Sequence, residues 1–254
     1  MQIGLIGSGN MAGAMARGWA RPVLCSDALP ERARALAAQT GGEAIASNLE
    51  LARRADVVVL CHKPGQLREV AREIAGEARA IVSILGGVPL ADVRDAYPDR
   101  PVVRLMPSTP VEVRAGVVLL ADDGDGALDD PLGVAVTELV AELGTAVRVP
   151  EAQVDVAMGL MANAPAYMAL VAEAQIDAGV RAGLAVHVAQ ELVVQTMAGT
   201  AALLRHKDYD TLTVRREVTS PGGSTARGLD ALERAGLRTA FSDALDAVLQ
   251  KERR

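Results

Sequence analysis

The feature that most restricts what this chain can fold into lies in its first twelve residues. Gln2-Ile3-Gly4-Leu5-Ile6 is a short, mostly apolar run, and Gly7-Ser8-Gly9-Asn10-Met11-Ala12 follows it directly. An apolar run of this length suits a strand covered on both faces, as in a parallel sheet. Where such a strand ends in Gly-x-Gly-x-x-Ala and opens a helix, each small residue has a task. The first glycine makes the tight turn, the second keeps the backbone bare, and Ala12 lets the helix lie close to the sheet. The first-turn N–H groups of that helix are then free for a pyrophosphate. Gly7, Gly9, Asn10, Met11 and Ala12 are therefore expected to bind a dinucleotide. Asp27 ends the second apolar run, Val23–Ser26, about where the adenosine ribose hydroxyls would lie. A carboxylate there weakly favours NADH, because it repels a 2′-phosphate. Arg32 and Arg34, one to two turns later, could still hold such a phosphate.

Strands and helices continue to alternate. Strands are expected at 2–6, 23–26, 43–46, 56–61, 80–84, 102–105, 115–120 and 146–149. Helices are expected from the glycine loop to about residue 20, then at 30–39, 48–54, 65–75, 89–96 and 130–143. Ser47 is a good N-cap before Asn48. Such alternation predicts an α/β fold with a doubly wound, mostly parallel sheet of the Rossmann type. At Pro150 the pattern changes to helical periodicity throughout. The expected domains are therefore 1–149, binding the dinucleotide, and 150–254, all-α. The run Leu184–Leu204 is longer and more apolar than a surface helix needs, so it is expected to pack inside a bundle, either of its own chain or shared between two chains.

Ligands of open α/β sheets bind at the carboxyl ends of the strands. The loops expected there are Cys61-His62-Lys63-Pro64, Ser83–Gly87 and Met106–Pro110. With three histidines in the chain and no second ligand near His62, a cofactor-lining wall is expected rather than a metal site. A net charge of −6 and an aromatic content of 2% exclude a nucleic-acid or anionic-membrane partner as the natural reading. Two cysteines at strand ends, Cys25 and Cys61, suit a reducing cytoplasm. The chain opens into a strand, and no uninterrupted apolar run long enough to cross a bilayer is read from it.

Near the other end stands Thr219-Ser220-Pro221-Gly222-Gly223-Ser224-Thr225. Two glycines after a proline allow a tight turn with positive φ. Ser224 or Thr225 is expected to cap a helix along Leu229, Leu232 and Leu237, whose N-terminus would take a small anion such as a carboxylate.

With these segments in this order, the whole chain resembles the Δ1-pyrroline-5-carboxylate reductase family. The resemblance is carried by Gly4–Ala12, Asn48, Lys63-Pro64, Met106-Pro107-Ser108-Thr109-Pro110, Pro165-Ala166-Tyr167, Asp177–Val180, Gln195-Thr196 and, most specifically, Val218–Thr225. It implies reduction of a cyclic imine acid to L-proline with NAD(P)H, which in this family is usually NADPH. It also implies a homodimer through the C-terminal helices, sometimes assembled into a decamer. Ser224 and Thr225 match substrate-binding and catalytic positions, within a site of Ser220, Gly222, Gly223, Ser224 and Thr225. Asn48, Lys63 and Pro64 match cofactor contacts, and Gly86 falls where the family has a small residue. His62 and Pro107 complete the expected cofactor wall. The chain departs from the family pattern at Met161-Ala162-Asn163-Ala164, at Ser108 and at Cys61-His62. The alternatives are a reductase for another cyclic imine acid, such as a piperideine carboxylate, or a nucleotide-binding paralogue without turnover. A hydroxyacid dehydrogenase would need a lysine entering the second domain, and residues 151–200 hold none.

Overall fold

The computed structural model describes residues 1–250, in two compact units, one of residues Met1–Pro165 and one from Ala166 onward. The first is built on β1 (Ile3–Ile6), α1 (Asn10–Trp19), β2 (Leu24–Ser26), α2 (Pro30–Thr40), β3 (Glu43–Ala44), α3 (Asn48–Arg54) and β4 (Val57–Leu60). After a 3₁₀ turn at Pro64–Gln66 come α4 (Leu67–Ile74), β5 (Ile81–Ser83), α5 (Leu90–Ala96) and β6 (Val102–Pro107). A second 3₁₀ turn, Thr109–Val113, leads to β7 (Gly116–Asp122), α6 (Pro131–Ala141), β8 (Gly144–Pro150) and α7 (Val154–Met161).

The sheet has eight strands in the order β3-β2-β1-β4-β5-β6-β7-β8. The first six run parallel, β7 is antiparallel to β6, and β8 is parallel to β7. Side-chain alternation explains why both faces are covered. Leu5, Cys25, Val59, Val82 and Val103 belong to one apolar cluster with residues of α1, α2 and α6. Ile6, Leu24, Val58, Leu60 and Ile81 belong to the other, with α3, α4 and α5. This is the doubly wound arrangement that the alternation predicts.

Local chemistry sets the helix ends. Ser47 Oγ accepts the Glu50 N–H at 3.0 Å, capping α3 as expected. Pro30 and Pro131 stand in the first turns of α2 and α6, where a missing N–H costs little. Three differences from the expected elements have physical causes. The strand at β3 is only two residues long, because it is an edge with a single partner. The segment Thr109–Val113 folds as a 3₁₀ turn that periodicity is too short to reveal. One charged side chain, Arg104, lies buried inside β6 and meets the Glu151 carboxylate at 2.5 Å. The same carboxylate oxygen accepts the Leu90 N–H at 2.8 Å, so this pair ties α5 and β6 to the entry of α7.

The second unit holds most of α8 (Ala164–Arg181), then α9 (Val186–His206), α10 (Thr211–Glu217), α11 (Ser224–Arg234) and α12 (Leu237–Gln250). No strand occurs after Pro150 among the described residues. Gly183, at φ +103°, separates α8 from α9, while Gly199 sits within α9 without breaking it. Asp210 caps α10 through the N–H groups of Leu212 and Thr213, each at 3.0 Å. One expectation needs correction here. The apolar run after Ser224 is not one helix: Gly236, at φ +79°, turns the chain between Leu232 in α11 and Leu237 in α12. On α9, Leu192 and Val194 are more than half exposed, as a bundle shared between two chains would leave them in one chain alone.

The stretch Glu151–Arg181, 31 residues long, contains an 18-residue window of mean hydropathy 1.4, but it is not an uninterrupted apolar run. It is two helices, broken at Ala162–Asn163, and Glu173 and Asp177 lie in the second. Neither feature favours a continuous span.

Candidate active site

The glycine loop between β1 and α1 has the form the fingerprint requires. Gly7 takes φ +100°, and a Cβ there would lie 2.7 Å from the backbone of Cys61 and His62. Only glycine therefore lets this turn pack on the end of β4. Gly9 differs: a Cβ on it would meet nothing within 4 Å. Its bareness serves no internal packing and leaves the approach to the backbone open. α1 begins at Asn10 with Gly9 as N-cap and no side-chain cap, so the first-turn donors of Asn10, Met11 and Ala12 remain for an anion. Ala12 is buried against the sheet, as predicted. These residues fit a dinucleotide pyrophosphate.

Asp27 has a task that was not visible in the sequence. Its Oδ2 accepts the Ser8 N–H at 2.7 Å and its Oδ1 the Leu29 N–H at 2.9 Å. The carboxylate braces the glycine loop against the start of α2. Asn48 is engaged at both ends, accepting from Ser26 Oγ at 2.8 Å and donating to Glu73 Oε2 at 2.7 Å.

The carboxyl ends of β4, β5 and β6 supply the other expected positions. Cys61 follows β4 with its thiol pushed well up by burial, which makes it a poor nucleophile. The His62 Nδ1 lies 2.9 Å from the Lys63 carbonyl. A carbonyl only accepts, so Nδ1 carries the proton and Nε2, buried without a partner among the described residues, is left with its lone pair. Burial holds the ring below its ordinary value, and the Lys63 carbonyl and the nearby Glu69 and Glu73 only partly oppose this. Lys63 and Pro64 are exposed, at the start of the 3₁₀ turn. A Cβ at Gly86 would meet nothing within 4 Å. Pro107 ends β6, and Ser108 beside it is held by Val117, whose N–H its Oγ accepts at 2.9 Å.

In the second unit the loop before α11 forms a defined turn into the helix, though without the expected cap. Gly223, at φ −68° and ψ 172°, is the N-cap, and Ser224 and Thr225 are the first two helical residues. A Cβ on Gly223 would lie 2.4 Å from Ser220 Oγ, so a larger residue cannot replace it without a shift. Gly222 takes φ +69°, its carbonyl accepts from Arg227 at 2.8 Å, and the Gly223 N–H closes on the Ser220 carbonyl at 3.0 Å. The result is a fixed turn and a helix start with no side-chain cap. The Ser224 and Thr225 hydroxyls make no hydrogen bond among the described residues.

Comparison with known proteins decides the family. A family model described as pyrroline-5-carboxylate reductase dimerisation matches residues 151–254. A second, described as NADP oxidoreductase coenzyme F420-dependent, matches residues 2–87. Pyrroline-5-carboxylate reductase from Synechocystis is 35% identical over 99% of this chain and 97% of its own length. The chain belongs to the pyrroline-5-carboxylate reductase family. The solved reductase from Streptococcus pyogenes superposes with a TM-score of 0.88 at 29% identity, covering 99% of this chain and 98% of that one. The pyrroline carboxylate reductase from Plasmodium falciparum, solved with NADP bound, gives 0.87 at 26%, covering 99% and 97%. By contrast, 3-hydroxyisobutyrate dehydrogenase from Mycobacterium tuberculosis, at 15% identity and 0.53, shares the fold alone.

As a member of this reductase family the chain is an NAD(P)H-dependent oxidoreductase with a Rossmann-type unit and a helical dimerisation region. The departure at Met161–Ala164 falls on the junction of α7 and α8. Two structural residues escaped the sequence reading. Ser8 lies between the two glycines, and only its backbone N–H matters to Asp27. Arg104 did leave a signal: a charged residue inside a strand otherwise wholly apolar.

Proposed function

We propose that this protein reduces Δ1-pyrroline-5-carboxylate to L-proline with NAD(P)H, holding the substrate carboxylate at the N-terminus of α11. The observation that carries the proposal is the uncapped α11 start, with two unengaged hydroxyls behind a glycine turn, in a chain of this family. Backbone N–H groups of Gly223 to Thr225 and the Ser224 and Thr225 hydroxyls offer charge-assisted hydrogen bonds to a carboxylate. Fixing the acid end orients the imine carbon, and orientation alone supplies a large part of a rate enhancement. The bound reduced nicotinamide supplies hydride to C5 of the ring. Thr225 relays a proton from water to the nitrogen, or the substrate enters already as the iminium. Gly7, Gly9, Asn10, Met11 and Ala12 hold the pyrophosphate, and His62, Lys63, Pro64, Gly86 and Pro107 line the approach to the nicotinamide. The functional boundary lies at 149/150, and the protein acts as a homodimer through its C-terminal helices, in a reducing cytoplasm that suits its free cysteines.

The test follows oxidation of the reduced nicotinamide with pyrroline-5-carboxylate and with piperideine carboxylates side by side. Turnover with the five-membered imine at the higher kcat/KM is expected. Faster turnover of a six-membered imine would reassign the substrate, and turnover of neither would end the reductase reading.

A further inference from the structure

We infer that His62 is a proton switch on the first unit: the turn after β4 keeps its shape only around the uncharged ring, so dinucleotide affinity falls when the ring takes up a second proton. The inference rests on the reading of the first unit as the dinucleotide domain, and goes beyond it by making that site sensitive to pH.

Two hydrogen bonds meet at the Lys63 carbonyl. It accepts the Gln66 N–H at 3.0 Å, which closes the 3₁₀ turn, and the His62 Nδ1 proton at 2.9 Å. The Lys63 N–H is held in return by Gln66 Oε1 at 3.3 Å. The imidazole is thus a strut of the turn that begins Lys63-Pro64. Its main chain also abuts the glycine loop, since a Cβ on Gly7 would stand 2.7 Å from the His62 nitrogen. A shift of this segment therefore reaches the loop to which the pyrophosphate is assigned.

A second proton has one place to go. Nδ1 is already protonated, and Nε2, which holds the lone pair, is buried without a partner among the described residues. Protonation there creates a charge and an unpaired donor in a buried position, and both are costly. The ring as a whole is only half-buried, so turning it carries Nε2 to water. That rotation breaks the Nδ1 bond to the Lys63 carbonyl, and the turn loses its strut.

The groups around the ring set the direction. Glu69 and Glu73 of α4 favour the charged form, but Glu73 is also engaged by Asn48 Nδ2 at 2.7 Å. Lys63, next in sequence, is exposed and has the sign of a charged ring. The strand Val57–Leu60 and the glycine loop Gly7–Gly9 bring no charged side chain, and burial keeps the Cys61 thiol protonated. Burial outweighs the two carboxylates and holds the ring below its ordinary 6.5. Affinity is therefore full above 6.5 and is lost as pH falls through the depressed value.

The experiment is calorimetric binding of NADP⁺ to the full-length protein between about pH 5 and 8, within the range where every protein used stays folded by its melting temperature. Wild type is compared with His62→Asn and His62→Gln, two side chains that keep an N–H donor and do not titrate. The phosphates of NADP⁺ titrate in all three cases, so the comparison isolates the ring. From pH 8 to pH 5 the wild-type Kd should rise about threefold or more beyond the rise in either variant. Over the same interval the wild type should release more protons on binding, read from the heats in two buffers of different ionisation enthalpy. Parallel affinity profiles in the wild type and either folded variant would overturn the inference while leaving the dinucleotide reading intact. Failure of the wild type to bind NADP⁺ at any pH would overturn that reading, and this inference with it.

Discussion

Gly7 and Gly9 look interchangeable in sequence but do different work. Alanine at Gly7 must adopt φ +100° with its Cβ 2.7 Å from backbone atoms of Cys61 and His62. It should cost about 1–3 kcal/mol or more, read as a lower melting temperature. Alanine at Gly9 enters open space, so stability should change by less than about 0.5 kcal/mol while dinucleotide affinity falls at least tenfold by titration. Thr225→Ala should lower kcat/KM by roughly tenfold to a hundredfold, the loss of one hydrogen bond to a charged group, with cofactor affinity unchanged. Equal losses in both would remove Thr225 from the substrate site. His62 contributes a pH dependence of known sign. Its folded value is depressed by burial, so the stability it contributes is full above its ordinary 6.5 and is lost as pH falls through the folded value. In denaturant melts across that window, His62→Gln should flatten the acid-side decline; an unchanged slope would show the ring titrating as if exposed. At this scale the sequence was readable where a residue's backbone task depends on its type, as with Gly7. It was not readable at Asp27, whose partner Ser8 is 19 positions away and engaged only through its main chain.

Individual elements were legible in proportion to the length of their pattern. The Ser47 cap and α3 agree with expectation to the residue, because capping is decided within four positions. Ser47→Ala should cost about 1 kcal/mol, seen in the denaturant midpoint at constant m-value. The α11–α12 break was missed because leucines on both sides of Gly236 keep a helical spacing, and only the φ of +79° reveals the turn. The Arg104–Glu151 pair joins β6, α5 and the start of α7 across 47 positions, beyond the reach of any local pattern. Glu151→Leu leaves a buried guanidinium without its partner and should destabilise by about 3 kcal/mol, the lower end for such a loss because the Glu151 side chain is 23% exposed. A Glu151→Leu protein that melts with the wild type would mean that the pair contributes no net stability.

For the molecule as a whole, the doubly wound sheet could be read from the alternation of strands and helices, and so could the change of regime after Pro150. The reversal of β7 could not, because an antiparallel strand buried on both faces has the same composition as a parallel one. The helical unit displays Leu192 and Val194 on α9 and Leu170 on α8, a surface that a single chain leaves uncovered. On the proposed homodimer, the melting temperature should rise with protein concentration, as mass action requires when association stabilises the folded chain. Leu192→Asp should raise the dissociation constant of the dimer tenfold or more by sedimentation. A Leu192→Asp protein that sediments as the wild type does would place the contact elsewhere.

That same bare surface bears on how the protein is made. On the proposed homodimer, a newly released polypeptide would carry its exposed apolar helices outward until a sibling arrives, so each molecule would pass through a vulnerable interval whose duration varies inversely with how many others are nearby. Refolding from denaturant at high dilution should then lose material to precipitation, unless a chaperone shields those helices during the wait.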